Sequence, residues 1–277
     1  MNLLHFLLNC VGLGLWLCWR PTGLEPVGPW RGGGERSGNA RRAGWAWLFL
    51  VVLAVLLGGR AWLYWQLGRD VDWVAALDLG VVRLDFHSGR PGRMLVFSLA
   101  GFALFLGGYF AWLLLLAAVN RSHEPPHPWQ RFVTAQLGWL ARLPAPVGLV
   151  LPCLVLGGLW AAGHPWLEEA GLAAPVRSPA HLAQQAVVVG LGAVLAWEPL
   201  VAGLLVLHVL NSHLYLGSHA LLGAVSLTAR NLLRPLARLP LRGDRFDFTP
   251  LVGLGLALTG FALARAGLIR LFQRLPL

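Results

Sequence analysis

The chain contains no lysine; all 22 of its basic residues are arginine. Acidic residues number only twelve, so charged side chains make up 12% of the 277 positions. A soluble domain carries about twice that fraction, which argues against a water-soluble globular fold. The exclusive use of arginine fits a GC-rich coding sequence. A nucleic-acid role would need a basic patch interleaved with aromatics on a soluble face, whereas these arginines border apolar runs. There are three cysteines, Cys10, Cys18 and Cys153, all inside apolar segments and none in a CxxC pair. A disulfide framework or zinc site is therefore not expected. No P-loop, GxSxG, HExxH or dinucleotide fingerprint occurs, and Gly32-Gly33-Gly34 lacks the Lys-Ser/Thr of a phosphate loop. The expectation is a protein that is not an enzyme, with no cofactor and no metal. His208, His213 and His219 are spaced by five and six, so they do not share one helical face. His123 and His127 lie four apart in a proline-rich stretch, and both groups read as interfacial polar residues.

What is present is apolar. Hydrophobic residues make up 57% of the chain and the mean hydropathy is +0.63. The long apolar runs predict a polytopic membrane protein, and the fourteen tryptophans suit interfacial belts. Residues 3–19 form the first run. No positive charge precedes it and no small-x-small site follows, so it reads as an uncleaved membrane helix. Residues 20–42, rich in Gly, Pro and Arg, read as a flexible linker. Residues 43–66 make a second span, with Arg60 near its far end and expected to snorkel outward. Residues 68–92 are a mixed-charge loop, in which the alternation Val81-Val82-Arg83-Leu84-Asp85-Phe86 hints at a short extended segment. Met94 to Val119 is a third span, residues 182–209 the fifth and 249–269 the sixth. Small residues within spans, such as Gly157-Gly158 and Gly253/Gly255, read as close helix packing.

The stretch Thr228 to Leu258 reads TARNLLRPLARLPLRGDRFDFTPLVGLGLAL. Leu232, Leu233, Leu236 and Leu239 fall on one helical face, while Arg230, Arg234 and Arg238 recur every four residues on another. Such a helix can lie in the interface, with leucines toward acyl chains and arginines toward phosphates. Pro235 restricts it, Pro240 ends it, and Pro250 suits the first turn of the next helix. Asp247 and Thr249 are placed to accept from the unpaired N–H groups of that turn.

LLRPLARLP, a short spacer and then DFTP resembles the signature of the YggT family of small bacterial membrane proteins, which has plastid relatives. Leu233, Arg234, Pro235, Leu236, Arg238, Pro240, Asp247, Phe248, Thr249 and Pro250 fill matching positions. Ala237 replaces the first Arg of the family's pair, and Asn231 stands near its leading Pro. The resemblance implies a multi-pass inner (plasma) membrane protein with links to osmotic and ion homeostasis or to assembly of membrane complexes.

LARLP at 140–144 recurs word for word at 236–240. Around each copy runs the same order: long span, proline-bearing loop, amphipathic segment, second span. The sequence thus predicts an internal repeat. Residues 1–92 form an N-terminal extension, 93–163 a first YggT-like repeat and 182–277 a second. The predicted fold is an all-α membrane bundle of about six transmembrane helices with two amphipathic interfacial or re-entrant segments. Loops 20–42, 120–145 and 210–248 hold about thirteen arginines against about seven on the opposite side, which places those loops in the cytoplasm.

One acidic residue lies within a span. Glu198 sits in AWEPL, and a carboxylate at that depth is a functional hypothesis by default. The plainer reading is a protonated or hydrogen-bonded structural Glu beside a Pro199 kink. Its side chain is expected to face the sixth helix near Thr259 and to be neutral. The function expected is non-enzymatic: assisting assembly or organisation of a membrane complex, or membrane homeostasis. The alternative is a small ion or solute transporter or channel with Glu198 in its path. Expected partners are the lipid bilayer, and either another membrane-protein complex or a second copy, with no nucleic acid.

Overall fold

A computed structural model describes residues 3–19, 36–71, 73–121, 128–214, 220–236 and 248–276. They are mostly helical, and five helices are long and apolar enough to cross a membrane. These are Trp47–Arg69 within α2 (Arg36–Val71), α3 (Pro91–Val119), α5 (Ala145–Glu169), the run Pro179–Ser212, and α9 (Thr249–Gln273). The first apolar run forms α1 (Leu3–Trp19), 17 residues long. At 1.5 Å per residue it reaches about 25 Å, short of a hydrocarbon core of about 30 Å. The chain divides into two compact units. One comprises Met1–Leu77 with Leu84–Gly107, and the other Asp78–Arg83 with Gly108–Leu277.

In the first unit α1 lies along α2. Leu53, Leu57 and Phe102 are buried together, with Leu15, Trp16 and Leu106 against them. Gly12 permits this approach, because a Cβ there would meet Phe102 at 2.8 Å and Leu53 at 3.3 Å. The sequence reading of an all-α fold needs one correction. β1 (Val74–Asp78) and β2 (Arg83–His87) pair as a hairpin. Within the first unit Ala75, Leu77, Leu84 and Phe86 alternate inward, as the two-residue period of a one-sided strand demands. Phe86 meets Phe97 of α3 with ring centroids 5.7 Å apart. The expected linker over 20–42 is corrected at its end, since α2 begins at Arg36; residues 20–35 lie outside the described residues.

The second unit is built on an antiparallel pair, α5 and α6 (Pro179–Leu191). A Cβ on Gly157 would stand 2.6 Å from the Ala186 carbonyl oxygen, and one on Gly190 would stand 2.6 Å from that of Cys153. The two backbones are in contact at these glycines. After α6 the helix tightens to a 3-10 stretch, Gly192–Trp197, and resumes as α7 (Glu198–Leu214). Pro199 explains the break: it offers no N–H and its ring clashes with the carbonyl four residues back. Two indoles brace this stretch. Trp112 Nε1 donates to the Ala196 carbonyl at 2.5 Å, and Trp197 Nε1 to that of Ala111 at 3.1 Å.

Both amphipathic segments begin earlier than their sequence patterns suggest. α4 (Pro128–Leu137) starts inside the stretch read as loop and continues into a 3-10 turn, Gly138–Arg142. α8 runs from Ala220 to Leu232 and stops before Pro235, with a turn over 233–236. Two of the four leucines expected to meet acyl chains, Leu233 and Leu236, pack inside the second unit instead, while Leu239 lies outside the described residues. Leu233 is buried with Leu205 and Ala229, and Leu236 packs against that cluster beside Val201, Leu254 and Ala257. Val133 and Leu137 of α4 are buried with Leu113, Leu114 and Leu116 of α3.

Candidate functional site

Glu198 opens α7, sixteen residues before Leu214, and Arg265 stands sixteen residues after Thr249, where α9 begins. Equal distances along two antiparallel helices bring the side chains level. Arg265 Nη2 donates to Glu198 Oε2 at 2.6 Å. Glu198 does face α9, but its partner is this guanidinium, and Thr259 is exposed on another part of the helix. The expected neighbour, Thr259, is therefore corrected to Arg265, which forms a salt bridge with Glu198. The pair is open to its surroundings, with 25% of the Glu198 side chain and 50% of the Arg265 side chain accessible. α9 as a whole is open: only 6% of its apolar window is buried inside the chain. Arg265 lies about 6 Å from the centre of that helix at 1.5 Å per residue, a depth where an unpaired charge is costly.

The motif residues divide between described and undescribed positions. Arg230 and Arg234 are exposed, as is Pro235, and Arg230 Nε donates to the Ser226 carbonyl at 3.3 Å. Phe248 is the N-cap of α9 without a side-chain cap bond, and Pro250 sits in the first turn. Thr249 is buried as the first helical residue. Arg238, Pro240 and Asp247 lie outside the described residues, so the capping role expected of Asp247 lies there too. His123, His127 and His219 also lie outside them. Among the described residues no group of three or more His, Cys, Asp or Glu could hold a metal ion.

Beside the motif sits a polar knot that the sequence reading missed. Asn120, at the end of α3, is 3% exposed. Its Nδ2 donates to the Leu116 carbonyl and to Thr228 Oγ1, both at 3.0 Å. Its Oδ1 accepts from Asn231 Nδ2 at 2.9 Å, and its carbonyl accepts from Gln130 Nε2 at 2.6 Å. Asn120 thus joins three elements where the motif begins: its side chain ties the end of α3 to α8, and its backbone carbonyl holds α4. Replacing it strands buried polar partners, each costing about 1–3 kcal/mol. Asn120→Leu is expected to destabilise the protein by about 2 kcal/mol, read as a lower midpoint of thermal unfolding in detergent. Asn120→Leu melting with wild type would show that the knot carries no stability.

Arg60 is the second intramembrane cation, and the expectation that it snorkels outward is corrected. It is 3% exposed within the first unit. α2 continues to Val71, eleven residues beyond it, or about 16 Å, and the side chain turns to partners inside the first unit. Its Nε donates to Ser98 Oγ at 2.9 Å, its Nη1 to Asn9 Oδ1 at 2.5 Å, and its Nη2 to the Ser98 carbonyl. Ser98 Oγ donates onward to the Leu57 carbonyl at 2.7 Å. One turn along, Tyr64 Oη and His5 Nδ1 are 3.2 Å apart. A third buried polar group, His164, is 1% exposed and packs edge-on against Trp160 at 5.4 Å.

These features define a helical protein of multi-pass membrane type, with paired or buried charges inside its spans. No family model, no curated protein and no solved structure matches the chain.

Proposed function

We propose that the protein is a non-enzymatic factor of YggT type in the inner membrane, which organises or helps assemble a membrane complex by protein contact along α9. One observation carries this reading: a membrane-length helix with only 6% of its apolar window buried, and near its middle an Arg265–Glu198 pair that is partly exposed. Hydrocarbon is a poor surround for a half-solvated ion pair, and a protein partner is a better one. Small residues on the same helix, Gly255, Gly260 and Gly267, would let another backbone come close, and a Cβ at any of them meets nothing within 4 Å.

The order of elements supports the two-repeat reading. α3, α4, a 3-10 turn and α5 are followed by α6 with α7, α8, a turn and α9. The first leucine of each LARLP occupies the same kind of place: Leu140 packs on the cluster around Leu113, and Leu236 on that around Leu205. Counting α1 as a short sixth span, met by local thinning of the bilayer, keeps both termini on one side of the membrane. The tight Gly157–Gly190 contact is glycine packing of one helix directly on another, which favours a scaffold over the transporter alternative.

Purification from native membranes in mild detergent tests the proposal. Wild type should retain a discrete partner or run as an oligomer. Gly260→Leu should lose that association without any fall in melting temperature. Wild type eluting alone as a monomer would refute it.

A further inference from the structure

The hydrogen bonds around Arg60 do not balance. A guanidinium carries five N–H donors and no acceptor, and it stays charged. Three donors are used, on Ser98 Oγ, Asn9 Oδ1 and the Ser98 carbonyl. That leaves one N–H on Nη1 and one on Nη2. Asn9 is 0% exposed, and its Nδ2 is buried with no partner. Turning the Asn9 amide over does not help, because Nδ2 would then face Nη1, donor against donor. Four N–H groups on two hydrogen-bonded side chains, two on Arg60 and two on Asn9 Nδ2, are therefore left without an acceptor among the described residues. Among the described residues Arg60 has no carboxylate partner; the acceptors it binds are all neutral. A full positive charge and a surplus of donors share one closed place in a membrane-length helix. Buried charges are ordinarily paired, and buried donors ordinarily satisfied.

We propose that Arg60, with the Asn9 amide, forms a buried site for a small monovalent anion of the halide class. A single unneutralised charge asks for a single negative one. A halide accepts from several N–H groups at once and has no geometry of its own to satisfy. Arg60 is 3% exposed, Asn9 0% and Ser98 0%, and a place so deeply buried suits a small ion better than sulfate, an organic carboxylate or a lipid phosphate. His5 and Tyr64 are hydrogen-bonded to each other one turn away, with the Phe97 ring tilted 5.0 Å from that of His5.

The test uses the full-length protein in a neutral detergent, with thermal unfolding followed by tryptophan fluorescence. Sodium chloride is titrated against sodium gluconate at constant ionic strength. Chloride should raise the midpoint saturably, by about 5 °C at a hundredfold excess over its Kd, and sodium sulfate should not. Asn9→Leu, which keeps the cation and removes the amide donors, should weaken the apparent chloride affinity at least tenfold. Arg60→Gln should abolish the response. Should Arg60→Gln fail to fold, radiolabelled chloride bound to wild type at equilibrium gives the answer: about one ion per chain is expected, displaced by unlabelled chloride and not by gluconate. A wild-type midpoint indifferent to chloride, an equal response in Asn9→Leu, or no bound label would each overturn the proposal.

Discussion

Glu198→Gln should lower the thermal midpoint, and Arg265→Gln should lower it as well, although neither residue is fully enclosed. Each single change leaves a full charge alone inside the membrane-spanning region. Stranding one member of a fully buried ion pair costs about 3–5 kcal/mol. This pair is partly accessible, at 25% and 50%, and a detergent shell is wetter than a bilayer, so about 2 kcal/mol is the expected cost. That corresponds to a fall of about 4–8 °C for a chain of this size. The double variant Glu198→Gln/Arg265→Gln removes both charges together and should recover most of the loss, as a neutral pair of amides. Thr259→Val should leave the midpoint unchanged. The double variant is the decisive arm: if its loss equals the sum of the two single losses, the side chains are not coupled.

Two neighbouring glycines in α5 should behave in opposite ways. Gly157→Ala places a methyl 2.6 Å from the Ala186 carbonyl oxygen of α6. The obstacle is backbone, so the helices must separate, and about 3 kcal/mol of stability should go with that separation. Gly190→Ala meets the Cys153 carbonyl oxygen at the same distance and should cost as much. Gly158→Ala meets nothing within 4 Å. It should instead gain about 0.5–1 kcal/mol, because alanine loses less backbone entropy in a helix. Thermal unfolding of the three variants side by side reads both signs. Equal effects at Gly157 and Gly158 would mean that the α5–α6 contact does not rest on glycine.

The membrane class was legible in the sequence because runs of about twenty apolar residues leave few alternatives. The two misread charges share one physical cause. Helices do not end where apolar residues end, since polar residues at the interface continue the same backbone hydrogen bonds. α2 runs past its apolar stretch to Val71, and α7 runs to Leu214. Measuring depth from the apolar edge placed Arg60 within reach of the interface and set Glu198 level with Thr259. Measuring from the helix ends buries Arg60 and moves the partner of Glu198 six residues along α9, to Arg265. The stripe of leucines in α8 failed differently. Periodicity shows that Leu233 and Leu236 share a face, but lipid and protein interior are equally apolar, so the pattern cannot say which one the face meets. Asn120 left no local signal at all: its partners Gln130, Thr228 and Asn231 are brought to it only by the fold.

The claim that α9 is an association face is most directly tested by a photo-crosslinking amino acid at Leu263, which is 69% exposed. Irradiation of whole cells should yield a discrete protein adduct, either a second copy of the chain or one defined partner. The same probe at Leu114 in α3, which is 5% exposed, should yield no intermolecular adduct. Lipid-only products at Leu263, with no protein band, would contradict the account.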